Sequence, residues 1–234
     1  MCNLYRQRSG PQAIIDIAKA MRSTVGNLAP GDVYPDYAAP IVRTAADGMR
    51  ELALSRWGMP SSSRAIYEAA TKRADKLRAK ATEFDFQDLL KNEPDSGTTN
   101  VRNTASTHWK RWLEPSHRCL VPFTVFSEPG RDDAGKYRPV WFKLAGDDPD
   151  PLAFFAGTHL PAWEGVRKIK KGWEQADLFA FLTTDPSEPV KSVHPKAMPV
   201  ILTKPDDIEA WMTAPWSEAS ALQRALPDGA LATL

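Results

Sequence analysis

From Cys119 onward the apolar residues stop following a helical spacing and come in short runs closed by Gly, Pro or Asp. The runs are Cys119 to Phe126, Pro139 to Leu144, Leu152 to Phe155, Leu178 to Thr183 and Met198 to Leu202. They are rich in Val, Phe, Trp and Leu, the signature of strands rather than of helices. The second half of the chain is therefore committed to a sheet.

The first half mixes both periods. Pro11 to Met21 reads as a short helix, with Pro11 in its first turn and Ile14, Ile15, Ala18 and Met21 on one face. Asn27-Leu28-Ala29-Pro30-Gly31 is a turn, Val33 to Val42 is extended, and Leu52 to Trp57 is a strand ending at Gly58. Ser63 to Ala81 is Ala-rich, basic and free of breakers, which predicts a helix, and Phe84 to Lys91 continues as a second one. Asn92 to Thr99 is a polar loop, and Thr104 to Leu113 is again helical. Two helices close the chain. One starts near Pro205 with Asp206 and Asp207 in its first turn and Trp211 on its apolar side, and the other spans Ser217 to Leu226. The pattern is α+β: a curled, barrel-like, mostly antiparallel β-sheet with flanking helices. We expect one domain over 1–234, with a helical insertion at about 60–95.

Composition narrows the partners. The 30 basic and 29 acidic residues leave a net charge of +1, so only a local basic patch can bind nucleic acid. The two cysteines, Cys2 and Cys119, argue against a disulfide framework and fit a reducing cytosol. No leader pattern and no apolar run of the ~18 residues a span needs are visible. The 20 prolines are scattered, which marks turns and strand edges rather than a disordered linker. No His/Cys spacing resembles a zinc site, and no cofactor or metal is expected.

The chain begins Met1-Cys2-Asn3. If Met1 is removed, Cys2 carries a free α-amine and a thiol on adjacent carbons. The amine condenses with an aldehyde to an imine, and the thiol then closes on the imine carbon to give a thiazolidine. An α-amine titrates near ~8 and is partly neutral at neutral pH. A positive neighbour lowers a thiol pKa, and Arg6 and Arg8 are candidates for that effect. Three further polar features stand at strand ends or turns: Asn100-Val101-Arg102, Glu128 after the run from Cys119, and His194 in Val193-His194-Pro195-Lys196-Ala197-Met198-Pro199.

In this order these features resemble the SOS response-associated peptidase (SRAP) family. The matching stretches are Met-Cys, the turn at 27–31, Trp57-Gly58, Asn-x-Arg at 100–102, and Arg-Cys-Leu-Val-Pro running to Glu128. Ala156-Gly157, Leu182-Thr183-Thr184-Asp185 and the His194 segment complete the set. The resemblance implies a sensor of abasic sites in single-stranded DNA, a monomer of the bacterial cytosol and nucleoid. Its Cys2 would form a thiazolidine crosslink with the ring-opened sugar after self-removal of Met1. Carried over, Cys2 is the nucleophile and Glu128 moves protons for ring opening and water loss, with a raised pKa. His194 assists ring opening or orients the sugar oxygen. Asn100 holds the Cys2 amine or a sugar hydroxyl, and Arg102 contacts a phosphate.

Trp57-Gly58 is either an aromatic platform for a base or a core tryptophan at a strand end. Lys110 and Arg111 with Arg118, and the run Arg167 to Lys171 with Trp173, are candidates for a DNA backbone groove. The chain departs from the family pattern at Asn3-Leu4, at Phe123-Thr124-Val125, at Pro129 and in the length of the His194 segment. Two alternatives stay open: a cysteine-type peptidase using Cys2, and a non-covalent single-strand binder with steep salt dependence.

Overall fold

The computed structural model describes residues 2–132 and 134–234 of the chain. Strand β1 (Leu4–Gln7) leads into α1 (Pro11–Ala18), β2 (Arg22–Ser23), β3 (Gly31–Val33), β4 (Ala38–Thr44) and β5 (Arg50–Trp57). Helices α2 (Ser63–Arg78) and α3 (Phe86–Lys91) follow, then β6 (Asn100–Val101) and α4 (Thr107–Lys110). The sheet-forming half contains β7 (Arg118–Phe123), β8 (Val125–Arg131), β9 (Tyr137–Leu144), β10 (Ala153–Val166) and β11 (Trp173–Thr184). After α5 (Val190–Val193), β12 (Met198–Pro199) and β13 (Ile201–Leu202) come α6 (Pro205–Thr213), α7 (Trp216–Ala219) and β14 (Leu231–Thr233).

Strands β11, β10, β7, β4 and β5 are hydrogen-bonded in that order, and β5 pairs back onto β11. The path closes into a barrel. The closing seam is a short parallel pairing, Arg56 with Leu178 and Trp57 with Phe179, and the other seams are antiparallel. A second, antiparallel sheet has the order β14-β9-β8-β1-β3.

Alternation along β10 and β11 gives the barrel wall two apolar faces. Phe154, Ala156, Leu178 and Leu182 pack with Ile14 of α1 and with Ile208, Trp211 and Met212 of α6. Phe155, Phe179 and Phe181 pack with Tyr5 of β1, Phe126 of β8 and Phe142 of β9, which ties the second sheet to the barrel. Each such buried side chain contributes about 1.5–3 kcal/mol, so β1 is fixed to the barrel by Tyr5, and with it the position of Cys2.

The helix starts follow their signals. Ser62 caps α2 by accepting from the Ala65 N–H, and Lys76 and Arg78 fall in its last turn, where the helix dipole favours cations. Pro205 opens α6, with Asp206 and Asp207 in the first turn and Trp211 buried. Among the described residues no helix is long and apolar enough to cross a membrane.

Several expected spans differ. The helix expected over Thr104–Leu113 is only α4, because Trp112 and Leu113 turn inward and Pro115 follows. The helix expected over Ser217–Leu226 is the short α7 and one 3-10 turn, and the chain ends in a strand, not a helix. The run from Cys119 to Phe126 is two strands with a break at Thr124. Strands β10 and β11 extend well beyond their apolar runs.

The barrel edge also explains the place of α2 and α3. The chain leaves β11 at Trp57, opposite Phe179, and rejoins the same edge at Asn100, opposite Phe181. Met59 and Thr98 pair at the neck of this excursion, each N–H donating to the other's carbonyl. Buried Arg167 closes the neck, donating from Nη1 to the Asp95 carbonyl at 2.8 Å and from Nη2 to the Gly58 carbonyl. Gly97, at φ +78°, leaves room for that guanidinium: a Cβ there would lie 2.4 Å from Arg167 Nη1. The clamp delivers Thr99 and Asn100 to a fixed register.

Candidate active site at Cys2

Strand β1 lies antiparallel to β8 with Leu4 opposite Ser127, so the chain before Leu4 runs on toward Glu128. Cys2 is fully buried. Its Sγ points to the Leu4 carbonyl at 3.6 Å, and its own carbonyl accepts from Asn100 Nδ2 at 2.8 Å. Burial pushes the Cys2 thiol up, the nearby Glu128 carboxylate adds to this, and the Leu4 backbone only partly opposes it. The thiol therefore rests protonated at neutral pH.

That result corrects one expectation. Arg6 and Arg8 do not activate the thiol. Arg6 is paired to Asp32 and stacked over Trp141, and Arg8 is paired to Asp150 at 2.8 Å.

Glu128 sits on β8 opposite Val140 and is 1 % exposed. Burial raises its carboxyl to about 7, while the Cys2 backbone N–H is among the groups drawing it down. A carboxyl in that range exchanges protons at neutral pH in both directions. His194 follows α5, and its Nδ1 lies 3.7 Å from Glu128 Oε2 and 2.9 Å from the Ala197 carbonyl. A carbonyl only accepts, so Nδ1 carries the proton. Gly130 allows α5 to approach β8: a Cβ there would lie 2.6 Å from Val140 Cγ2 and 3.3 Å from Val193 Cγ1.

Cys2, Asn100, Glu128 and His194 are thus brought together from four distant stretches of chain. Asn100 holds the Cys2 carbonyl rather than its amine. Nδ2 also reaches Thr99 Oγ1 at 2.8 Å, and Oδ1 is buried with no hydrogen-bond partner among the described residues. Met1, whose loss the chemistry requires, lies outside the described residues.

The flanking residues divide. Arg102 follows β6 and pairs with Asp185, half in solvent. Lys110 and Arg111 are exposed at α4, where Arg111 donates to the His108 carbonyl and stacks over Trp112. Trp57 is no platform for a base. It is 1 % exposed, stacks on Phe179 and Phe181, and donates its indole N–H to the Thr99 carbonyl at 2.9 Å. Gly58 is buried in the neck under Arg167. Arg118 and Arg167 also leave the expected DNA groove: both are buried, Arg118 against Trp211 and the Ala214 carbonyl.

Sequence reading missed β1 itself, the Tyr5 anchor and Gly130. The only signal for β1 is four residues with Tyr5 and Gln7 alternating inward.

A family model described as SOS response associated peptidase (SRAP) matches residues 1–233. Among solved structures, a protein from Bordetella bronchiseptica is 21 % identical over 99 % of this chain and 98 % of that one, with a TM-score of 0.64. A protein from Bacteroides thetaiotaomicron is 18 % identical over 99 % and 90 %, with a TM-score of 0.65. A phage-related protein from Bordetella bronchiseptica is 21 % identical over 100 % and 93 %, with a TM-score of 0.64. At these identities the likeness is one of fold. No curated protein matches the chain in sequence.

Proposed function

The chain belongs to the SOS response-associated peptidase family, and from that premise we propose that it captures abasic sites in single-stranded DNA through Cys2. The observation that carries this reading is the meeting of the Cys2 thiol and backbone with a buried carboxyl titrating near 7. An ordinary surface glutamate supplies no such proton exchange at neutral pH.

The chemistry balances on these groups. The abasic sugar is mostly a ring-closed hemiacetal. His194, beside Glu128, assists opening to the aldehyde. With Met1 gone, the Cys2 amine adds to the aldehyde carbon and gives a carbinolamine. Glu128, protonated, gives its proton to the departing hydroxyl, and water leaves. The thiol sulfur then bonds to the iminium carbon, the C=N electron pair returns to nitrogen, and the thiol proton passes to the Glu128 carboxylate, which is thereby restored to its acid form. The net product is a thiazolidine and one water. Because the thiol rests protonated, it needs a base at this last step, and Glu128 has just become one.

Asn100 keeps the backbone of residue 2 in place during these steps, and its buried Oδ1 suits a sugar hydroxyl or the amine. Arg102 suits a phosphate next to the lesion, exchanging Asp185 for it. Lys110 and Arg111 extend the positive surface beyond. In the chain that retains Met1, Cys2 is buried, so capture follows Met1 removal.

The family description as a peptidase favours a companion activity, cleavage of the Met1–Cys2 bond by this same site. Intact-mass measurement on Glu128→Ala protein made without aminopeptidase activity tests it: Met1 retained supports it, Met1 lost refutes it. For capture, the test is a heat-stable adduct on a denaturing gel with an abasic single strand, absent from Cys2→Ser protein.

A further inference from the structure

Strands β10 and β11 project as a hairpin whose tip carries Lys168, Ile169, Lys170, Lys171 and Trp173. Trp173 is 51 % and Ile169 58 % exposed. The Trp173 indole N–H is held by Asn92 Oδ1 at 3.0 Å, which fixes the ring while half of it stays in solvent. Lys168 Nζ lies 3.4 Å from Asp36, and Asp36 is flanked by two further exposed rings, Tyr34 and Tyr37, with centroids 5.5 Å apart. Exposed apolar side chains that lie near one another with a polar rim mark interaction sites, whereas singly scattered ones need no explanation.

The charge of this surface is positive. Asp36 is already matched by Lys168 and Arg56, and Glu174 is matched by Arg56 at 2.8 Å. Among the described residues neither Lys170 nor Lys171 makes a close salt bridge, and Lys171 adds only a longer-range attraction to Glu174, which Arg56 already pairs. A surface of fixed aromatic faces and surplus lysines fits a flexible polyanion that also offers flat rings. That is a single-stranded nucleic acid, whose bases stack and whose phosphates pair. An acidic peptide or a lipid headgroup uses the lysines and leaves the rings without a role.

The patch is continuous with the candidate site. The Asp36 N–H donates to the Trp57 carbonyl and the Trp57 N–H to the Tyr37 carbonyl, so both tyrosines sit at the level of Phe179 on β11. Val33 is opposite Tyr5, which brings Tyr34 beside Leu4 and the chain leading to Cys2. Asn100 pairs with Phe181. From Trp173 to Phe179 β11 rises roughly 20 Å at ~3.3 Å per residue. A strand of about 4–16 nucleotides, the usual site size of such surfaces, covers the span.

We propose that Trp173, Tyr37, Tyr34, Lys170 and Lys171 form a stacking track that holds the undamaged single strand leading away from Cys2. This rests on the reading of Cys2 as an abasic-site trap, and extends it to a surface that needs no lesion.

The experiment uses Cys2→Ser protein, in which no thiazolidine forms, and an undamaged oligothymidylate of about twelve nucleotides, a length within that site size. Binding is followed by fluorescence anisotropy across a salt series, with Trp173→Ala and Lys170→Gln/Lys171→Gln variants. The expected result is at least about fivefold weaker binding for Trp173→Ala, the loss of one stacked base. For the lysine pair, the expected result is a salt slope shallower by about 1.4, near 0.7 per phosphate.

Parent-like affinity and slope in both variants overturn the proposal. So does failure of the parent to bind the oligonucleotide, or tighter binding of polyglutamate or anionic vesicles than of the oligonucleotide. Adduct formation between the unsubstituted chain and an abasic trinucleotide reports Cys2 chemistry separately. Strand binding without adduct removes the covalent reading, and adduct without strand binding removes this one.

Discussion

Asn100 Nδ2 donates to the Cys2 carbonyl across 2.8 Å, joining residues far apart in sequence. The bond fixes a residue that lies outside the second sheet's own pairing, since β1 begins at Leu4. A neutral hydrogen bond of this kind contributes about 0.5–1.5 kcal/mol. Asn100→Ala is therefore expected to slow adduct formation about tenfold, with only a small fall in melting temperature. Single-turnover rates against an abasic oligonucleotide check it.

Glu128 sets the pH dependence. Its carboxyl is raised by burial to about 7, so the folded state holds a proton that the unfolded chain gives up near ~4.3. The stability from that proton is full below the unfolded pKa. It is lost as pH rises from there through the folded value. Thermal melts of wild type are expected to decline from pH 5 to pH 8 more steeply than those of Glu128→Gln.

Adduct formation requires a neutral Cys2 amine, near ~8 when unperturbed, and a protonated Glu128. The rate is expected to peak between these values, near pH 7 to 8. Glu128→Gln is expected to lower the rate about 10²–10⁴-fold, the usual share of a general acid or base, and to remove the alkaline limb. Rate against pH for both proteins decides it.

Trp57 acts through packing. Its ring lies among Tyr5, Phe179 and Phe181, and its N–H holds the Thr99 carbonyl beside Asn100. Trp57→Ala is expected to cost about 3–5 kcal/mol of stability, read by denaturant unfolding. Trp57→Phe keeps most of the apolar area and loses the Thr99 bond. It is expected to fold with a modestly lower midpoint, and to lose adduct rate with its affinity for undamaged strand intact.

The sheet-rich second half was legible because short apolar runs between Gly, Pro and Asp have few other solutions. The ends of β10 and β11 were not, because the hairpin tip leaves the core and carries Lys170, Lys171 and Trp173 in place of an apolar pattern. The polar quartet was legible through its order along the chain. The orientation of Asn100 was not, since only the Arg167 clamp and the Phe181 register decide what its amide reaches. Trp57 illustrates the limit: a tryptophan before glycine at a strand end reads equally as a platform or as core. The closure of β5 onto β11, a non-local pairing, settles it.

The raised pKa of the Cys2 thiol was also outside sequence reach. Arg6 and Arg8 are near Cys2 in the chain, yet both are spent on Asp32 and Asp150. Proximity in sequence does not decide which partner a charged side chain takes.

The most direct measurement is the intact mass of the protein before and after exposure to an abasic single-stranded oligonucleotide, under denaturing conditions. The expected result is a chain lacking Met1 that gains the oligonucleotide mass less one water, with no gain in Cys2→Ser protein. An adduct of equal yield on Cys2→Ser protein, or on a chain that still carries Met1, would contradict covalent capture at Cys2.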